Sequence, residues 1–255
     1  MYFNTYIISL NKDKDRLKKL VKSLKKMGIK PYKFSAYTGE KVDRINNKQI
    51  SKISKYLLPD SVLGQGISHI KLNKYIYEND ISDYSLVLED NIKILFKNKN
   101  EISKIVEKAP KDWDIINLHC NGVCEYNDNN WDVDLNASMM GYLISKNGAN
   151  KLAKLKLNNY IDIQINEKNI KIYKSPKMMV KPNHNYENKS TYSRSEIHGS
   201  KFLDKIPKMK NLVSKNSHYL GYSIYRVPYI NKNVNVISSY FLLSFLLTII
   251  ITLIT

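Results

Sequence analysis

The chain has 255 residues, enough for one large domain or two small ones, and its 43% hydrophobic content suffices for an ordinary buried core and argues against a disordered protein. Lysine and arginine number 41 against 23 aspartates and glutamates; the formal charge of +18 suits anionic partners, yet the basic residues are spread along a chain also rich in Asn, Ile and Tyr, as A/T-biased coding produces. The two cysteines, Cys120 and Cys124, have no further pair to complete a four-ligand zinc site and read as reduced thiols, a local disulfide being the alternative that needs a tight loop.

The N-terminus lacks the basic start, apolar run and small-residue cleavage site of a signal peptide, and Tyr6 to Leu10 reads as a first strand. Asp13 then stands as a helix cap before Leu17, Leu20, Val21, Leu24 and Met27 at helical spacing, with Gly28 as the stop. Tyr32 to Ala36 resumes as a strand, which completes a βαβ opening. Helix is expected over Asp43 to Leu58, a break at Pro59-Asp60, and a second helix from Gly66 to Tyr77. Tyr84 to Leu88 is apolar except for Ser85, the pattern of a buried parallel strand, and runs straight into Glu89-Asp90-Asn91.

A helix near Glu101 to Lys108 precedes Trp113-Asp114 and a buried strand at Ile115 to Leu118, followed by a polar loop over Asn121 to Asn130. Met139 to Ile144 predicts another strand, Lys146 to Lys154 a helix opened by Asn147-Gly148, and Ile170 to Tyr173 a late strand. The alternation predicts an α/β domain over 1–182, a mixed sheet with helices on both faces, and shows no internal repeat. Asn183 to Lys215 lacks periodicity, and 183–235 reads as an irregular acceptor-side or membrane-proximal segment. Val236 to Thr255 carries no charge; at about 1.5 Å per residue it spans roughly the ~30 Å of a bilayer core, so a single-pass C-terminal anchor is expected, with Lys232 on the cytosolic side along with the large domain.

The strongest chemical signal is the carboxylate pair Glu89-Asp90 at the end of a buried strand, because open α/β sheets bind ligands beyond the carboxyl ends of their strands. Around it, YIISLNKDKDRLKKL resembles the opening of glycosyltransferase family 25: Ile8, Leu10 and Arg16 match, and Ser9 stands where the family has Asn. Ala36 and Gly39 are similar to the residues that close the family's second strand. VLGQGISH is similar to its glycine-containing loop, with Gly64, Ser68 and His69 matching and Val62 and Gln65 departing from Glu and Cys. LVLEDN resembles its Leu-Glu-Asp-Asp strand end with Asn91 in the last acidic place. Trp113-Asp114, GYLISKNGANKLAK and Tyr160-Ile161-Asp162, the last in place of a Pro-Ile-Asp element, extend the resemblance over about residues 5–182.

The resemblance implies a GT-A-like nucleotide-sugar-binding domain and an inverting sugar transferase, often using UDP-galactose and manganese. Breaking a nucleotide-sugar bond releases a diphosphate, whose developing charge needs a divalent metal or Lys and Arg. Glu89 and Asp90 are then the expected donor-binding carboxylates, and Asp90 with Asn91 the expected metal ligands through hard oxygens. Arg16 is expected to reach the phosphate, Ser68 to cap the helix that presents His69, and His69 to contact the diphosphate or orient a carboxylate. Inversion needs a base for the acceptor hydroxyl: Asp162 is the first candidate and Asp114 the second, the blander account of each being a turn or helix-cap carboxylate. Asn91 is a neutral amide where a carboxylate is expected, so the alternative is an impaired relative acting as a membrane-anchored nucleotide- or glycan-binding protein. Tyrosines are scattered rather than arranged as a stacking platform, so no nucleic-acid partner is expected.

Overall fold

A computed structural model describes residues 2–52, 54–58, 60–119, 131, 138–167, 169–183, 224–227 and 232–235. Strand β1 (Phe3–Ser9) leads into helix α1 (Lys14–Lys26), which buries Leu20 and Leu24 and leaves its lysines in water. The helix stops as expected at Gly28, whose φ of 75° is the left-handed conformation. There the Gly28 N–H donates to Lys25 O (3.1 Å) and the Ile29 N–H to Leu24 O (3.0 Å), a Schellman closure that caps two otherwise orphaned carbonyls. Asp13 occupies the N-cap position without a side-chain capping bond, because its carboxylate is turned to Arg16.

Strand β2 (Pro31–Ser35) follows, then helix α2 (Ser54–Leu57) and helix α3 (Asp60–Asn79). The helix expected over Asp43 to Leu58 shrinks to four residues, and α3 starts at Asp60 rather than Gly66. Local side chains explain the first difference: Asp43 accepts the Asn46 N–H and Asn47 accepts the Gln49 N–H, so the backbone takes turns in place of helix.

The rest of the described chain comprises strand β3 (Tyr84–Glu89), strand β4 (Ile92–Ile94), helix α4 (Lys99–Lys108), strand β5 (Ile115–Asn117), strand β6 (Gly141–Ser145), helix α5 (Lys146–Ala153), helix α6 (Ile161–Gln164), strand β7 (Ile172–Lys174) and strand β8 (Val180–Pro182). The cap of α5 is Ser145, whose Oγ accepts the Gly148 N–H at 3.0 Å, while Asn147 is used elsewhere. Six strands form one sheet in the order β2-β1-β3-β6-β5-β7. The pairings β1 with β2, β1 with β3 and β5 with β7 are parallel, and β6 runs antiparallel to both neighbours. The expected mixed sheet is thus present, with the carboxyl ends of five strands and the start of β6 along one edge. Strands β4 and β8 pair separately and antiparallel, a feature not anticipated from their short apolar runs.

Alternation along the strands loads both faces. Tyr6, Ile8, Val87, Tyr142 and Ile144 pack with Leu63, Ile67 and Ile70 of α3 and with Ala149 and Leu152 of α5. Ile7, Leu86, Leu88 and Leu143 pack instead with Leu20 and Leu24 of α1 and Ile102 and Ile105 of α4. Helices therefore cover both faces, and the sheet edges are left to carry polar groups.

Within 183–235, the segment expected to be irregular, strands β9 (Ile224–Val227) and β10 (Lys232–Asn235) form an antiparallel pair. The expected anchor at 236–255, and Cys120 and Cys124, lie outside the described residues. Among the described residues no helix is long and apolar enough to cross a membrane.

Candidate active site

Strand β3 carries Glu89 to the carboxyl edge of the sheet, with Asp90 and Asn91 immediately beyond it. Two glycines set the approach of α3 to this edge. A Cβ on Gly64 would lie 2.6 Å from Tyr37 O and 2.8 Å from Gly39 N, and one on Gly39 would lie 2.0 Å from Asp60 O, so the helix can sit against the loop after β2 only without those side chains. Ser68 seals the same junction: its Oγ accepts the Tyr37 N–H at 2.8 Å and donates to Gly64 O at 2.6 Å. Ser68 is therefore engaged in joining helix to loop and is almost fully buried.

Asp90 is 6% exposed, and its Oδ2 accepts the Ser9 hydroxyl at 2.6 Å while its Oδ1 lies 3.4 Å from Arg16 Nε. Arg16 also pairs with Asp13. Burial pushes the Asp90 carboxyl up to about 6, against the lowering effects of Ser9 and Arg16. Glu89 Oε1 accepts Gln65 Nε2–H at 3.0 Å and lies 3.3 Å from His69 Nε2. The other ring nitrogen of His69 lies 3.1 Å from the Tyr142 hydroxyl, which also accepts Asn73 Nδ2–H at 2.9 Å.

Asp162, in the first turn of α6, is held by the Met139 N–H, which donates to its Oδ1 at 2.9 Å. Burial, then the negative charge of Glu89, pushes its carboxyl up to about 6, opposed by the Met139 bond. The structure thus brings Arg16, His69, Glu89, Asp90 and Asp162 to one edge. Asp114 stands apart, before the first residue of β5 and hence at the opposite edge. It is fully buried, with Asn147 Nδ2 at 2.7 Å, Lys151 Nζ at 2.5 Å and the Lys171 N–H at 2.8 Å all donating to it. Those bonds tie β5, α5 and the approach to β7 together and leave Asp114 remote from the other site residues.

Asp13 and Asp90 flank the Arg16 guanidinium, Glu89 follows on beside Asp90, and Asp162 feels the charge of Glu89, an acidic spot in a chain of formal charge +18. Among the described residues no group of three or more His, Cys, Asp or Glu is arranged to hold a metal. Asn91, next in sequence to Asp90, nonetheless has a buried Oδ1 without a hydrogen-bond partner, a hard oxygen of the kind a magnesium- or manganese-type ion takes. The oxygens of Asp90 and Asn91 are of a chemical type that fits a divalent cation.

Sequence reasoning missed Ser9, Gln65, Asn73 and Tyr142 as members of this network. One signal was present: Gln65, His69 and Asn73 recur every four residues in α3, which places three polar side chains on one helix face.

An acidic cluster at the carboxyl edge of a largely parallel sheet defines a ligand-binding α/β domain of the open-sheet kind. The family profile described as "Glycosyltransferase family 25 (LPS biosynthesis protein)" matches residues 3–134, just over half of the chain, and the chain belongs to that family of sugar transferases. No curated protein sequence matches it. Among solved structures it is similar to A197 from STIV, at 11% identity and a TM-score of 0.41 over 72% of this chain and 95% of that one. It is also similar to a glycosyltransferase involved in the glycosylation of the major capsid of PBCV-1, at 10% identity and 0.37 over 60% of this chain and 63% of that one. A third similar structure is a mutant Drosophila β-1,4-galactosyltransferase 7 complexed with manganese, UDP-Gal and xylobiose, at 9% identity and 0.40 over 77% and 79%.

Proposed function

We propose that this glycosyltransferase is a GT-A-like inverting enzyme that moves a hexose, galactose by family resemblance, from a UDP-sugar to a hydroxyl on a glycan, lipid or protein. The observation that carries the reading is the convergence of Glu89, Asp90 and Arg16 with Asp162 at the carboxyl edge of the sheet. Asp162 suits the base that takes the proton of the attacking hydroxyl, since a carboxyl lifted to about 6 is a stronger base than an ordinary one and is still ionised at neutral pH. Asp114 is not carried forward, because its oxygens are committed to Lys151, Asn147 and Lys171.

Asp90 and Asn91 would hold a divalent cation, manganese by family resemblance, and that ion would supply positive charge to the leaving diphosphate. The local excess of carboxylates supports a cation here, because Asp13 and Asp90 at Arg16, with Glu89 next to Asp90, repel a bare diphosphate. Arg16 steadies Asp90, and Ser68 and the glycines hold α3 against the site. The uncharged stretch 236–255 is proposed as a single-pass tether with the enzyme domain on the cytosolic side; protease digestion of that domain on sealed membranes tests the orientation.

The decisive experiment measures UDP release and sugar transfer by the full chain with UDP-galactose and UDP-glucose across a manganese titration. Transfer that saturates with manganese is expected, and Asn91→Asp should lower the manganese concentration needed by about tenfold, as a charged ligand replaces an amide. Absence of both transfer and UDP release at every manganese concentration overturns the reading in favour of a binding protein, and an unchanged titration in Asn91→Asp removes Asn91 from the ligand set.

A further inference from the structure

The contacts behind Glu89 have a direction. Asn73 Nδ2 donates to the backbone carbonyl of His69 at 2.8 Å and to the Tyr142 hydroxyl at 2.9 Å, so the phenolic oxygen is already an acceptor. The phenol's own hydrogen then needs an acceptor, and His69 Nδ1 lies 3.1 Å away. Burial, the largest influence on Tyr142, pushes its ionisation far upward, so the phenol keeps that hydrogen. An imidazole accepting at Nδ1 carries its hydrogen on Nε2, the nitrogen that faces Glu89 Oε1 at 3.3 Å. The opposite tautomer points an Nε2 lone pair at a carboxylate oxygen and leaves the phenolic hydrogen with no acceptor. His69, Asn73 and Tyr142 are all 0% exposed, so no solvent compensates such a mismatch.

We propose that Asn73, Tyr142 and His69 form a buried positioning chain for Glu89: it locks His69 as the Nε2–H tautomer and, with Gln65, commits Oε1 to two donors, presenting Oε2 as acceptor for a hydroxyl of the bound sugar. Glu89 Oε2 has no hydrogen-bond partner among the described residues. This divides the labour between neighbouring carboxylates: Glu89, already tied down on one oxygen, grips the ligand, and Asp162, with a single hydrogen bond among the described residues, handles the proton. The ligand-gripping role rests on the transferase reading above, whereas the tautomer does not.

The test pairs a spectroscopic readout with a kinetic one on the full chain. Histidine labelled with 15N reports its tautomer in the ring-nitrogen shifts, and subtraction of the His69→Gln spectrum assigns His69. The Nε2–H form is expected in the wild type, and Tyr142→Phe should shift it to a mixture by removing the donor to Nδ1. In transfer assays Tyr142→Phe should lower kcat about tenfold to a hundredfold, the scale of a misplaced reacting geometry, with the Kd for UDP unchanged. His69→Gln, which keeps an N–H toward Glu89, should retain more activity than His69→Leu, with thermal unfolding checking that both are folded. A wild-type Nδ1–H tautomer or imidazolium overturns the chain, as does a Tyr142→Phe enzyme that transfers like the wild type. If the wild type transfers from no UDP-hexose, the transferase reading and the gripping role of Glu89 fall together, and the nitrogen shifts still decide the tautomer.

Discussion

The two edges of the central sheet both bury carboxylates, and they treat them differently. At the edge where β3 begins, Asp80 accepts Asn4 Nδ2 at 2.6 Å, Tyr6 Oη at 3.0 Å, the Ser82 N–H at 2.9 Å and hydroxyls from Ser82 and Ser85 at 2.7 Å each. Burial by itself raises Asp80, but the bonds from Ser85, Ser82 and Asn4 outweigh it and hold the carboxyl below its ordinary value. Asp114, at the same edge, is likewise saturated with donors. At the carboxyl edge Asp90, buried, and Asp162, half-buried, have fewer partners, and both rise to about 6. A carboxylate whose lone pairs are filled holds elements together; one left short of donors is available to a ligand, a cation or a proton.

The sharpest way to break this contrast is to exchange the consequences of mutation. Asp162→Asn keeps an oxygen for the Met139 N–H while removing the base, and transfer should fall by about a hundredfold to ten-thousandfold with UDP binding retained. Steady-state kinetics and a UDP titration check it, and near-normal kcat would move the base elsewhere. Asp114→Ala should do the reverse: it strands Lys151, Asn147 and the Lys171 N–H and should cost about 2–4 kcal/mol of stability in urea unfolding, less than a fully enclosed pair because Lys151 is 35% exposed. Loss of transfer without loss of stability in that variant would place Asp114 in the chemistry after all.

The smallest expected effect is in the pH dependence of stability, where the two edges should act with opposite sign. Asp90 and Asp162 bind protons more tightly folded than unfolded, so their contribution is complete below the ordinary value of 3.8 and is lost as pH rises through about 6. Asp80, lowered in the fold, contributes stability present above 3.8 and lost as pH falls through its depressed value. Urea midpoints between pH 4 and pH 8 should show Asp162→Asn flattening part of the decline toward pH 6. An unchanged slope would mean that Asp162 is no costlier to ionise in the fold than in the unfolded chain.

Much of this was legible in the residues. The apolar runs that became β1, β3 and β6, the periodic leucines of α1 and the Gly28 stop depend on interactions within a few positions, so they appear in place within a residue or three. The region 43–58 was misread because Asp43 and Asn47 compete with the helix for backbone N–H groups, and apolar spacing does not register that competition. Ser68 read as a cap and is instead the tie between α3 and the loop after β2, since a hydroxyl's partner 31 positions away is invisible to local pattern.

By itself the sequence determined the alternation of strands and helices, the acidic end of β3, and family membership through short motifs in order, because each is encoded in neighbouring residues. Only the tertiary structure decided which carboxylates share an edge. Asp162 reaches the charge of Glu89 across 73 positions, and Asp114 is drawn to the far side by the direction of β5. Burial and hydrogen-bond completeness are properties of packing, and they separate a buried carboxylate that can react from one that merely holds the fold.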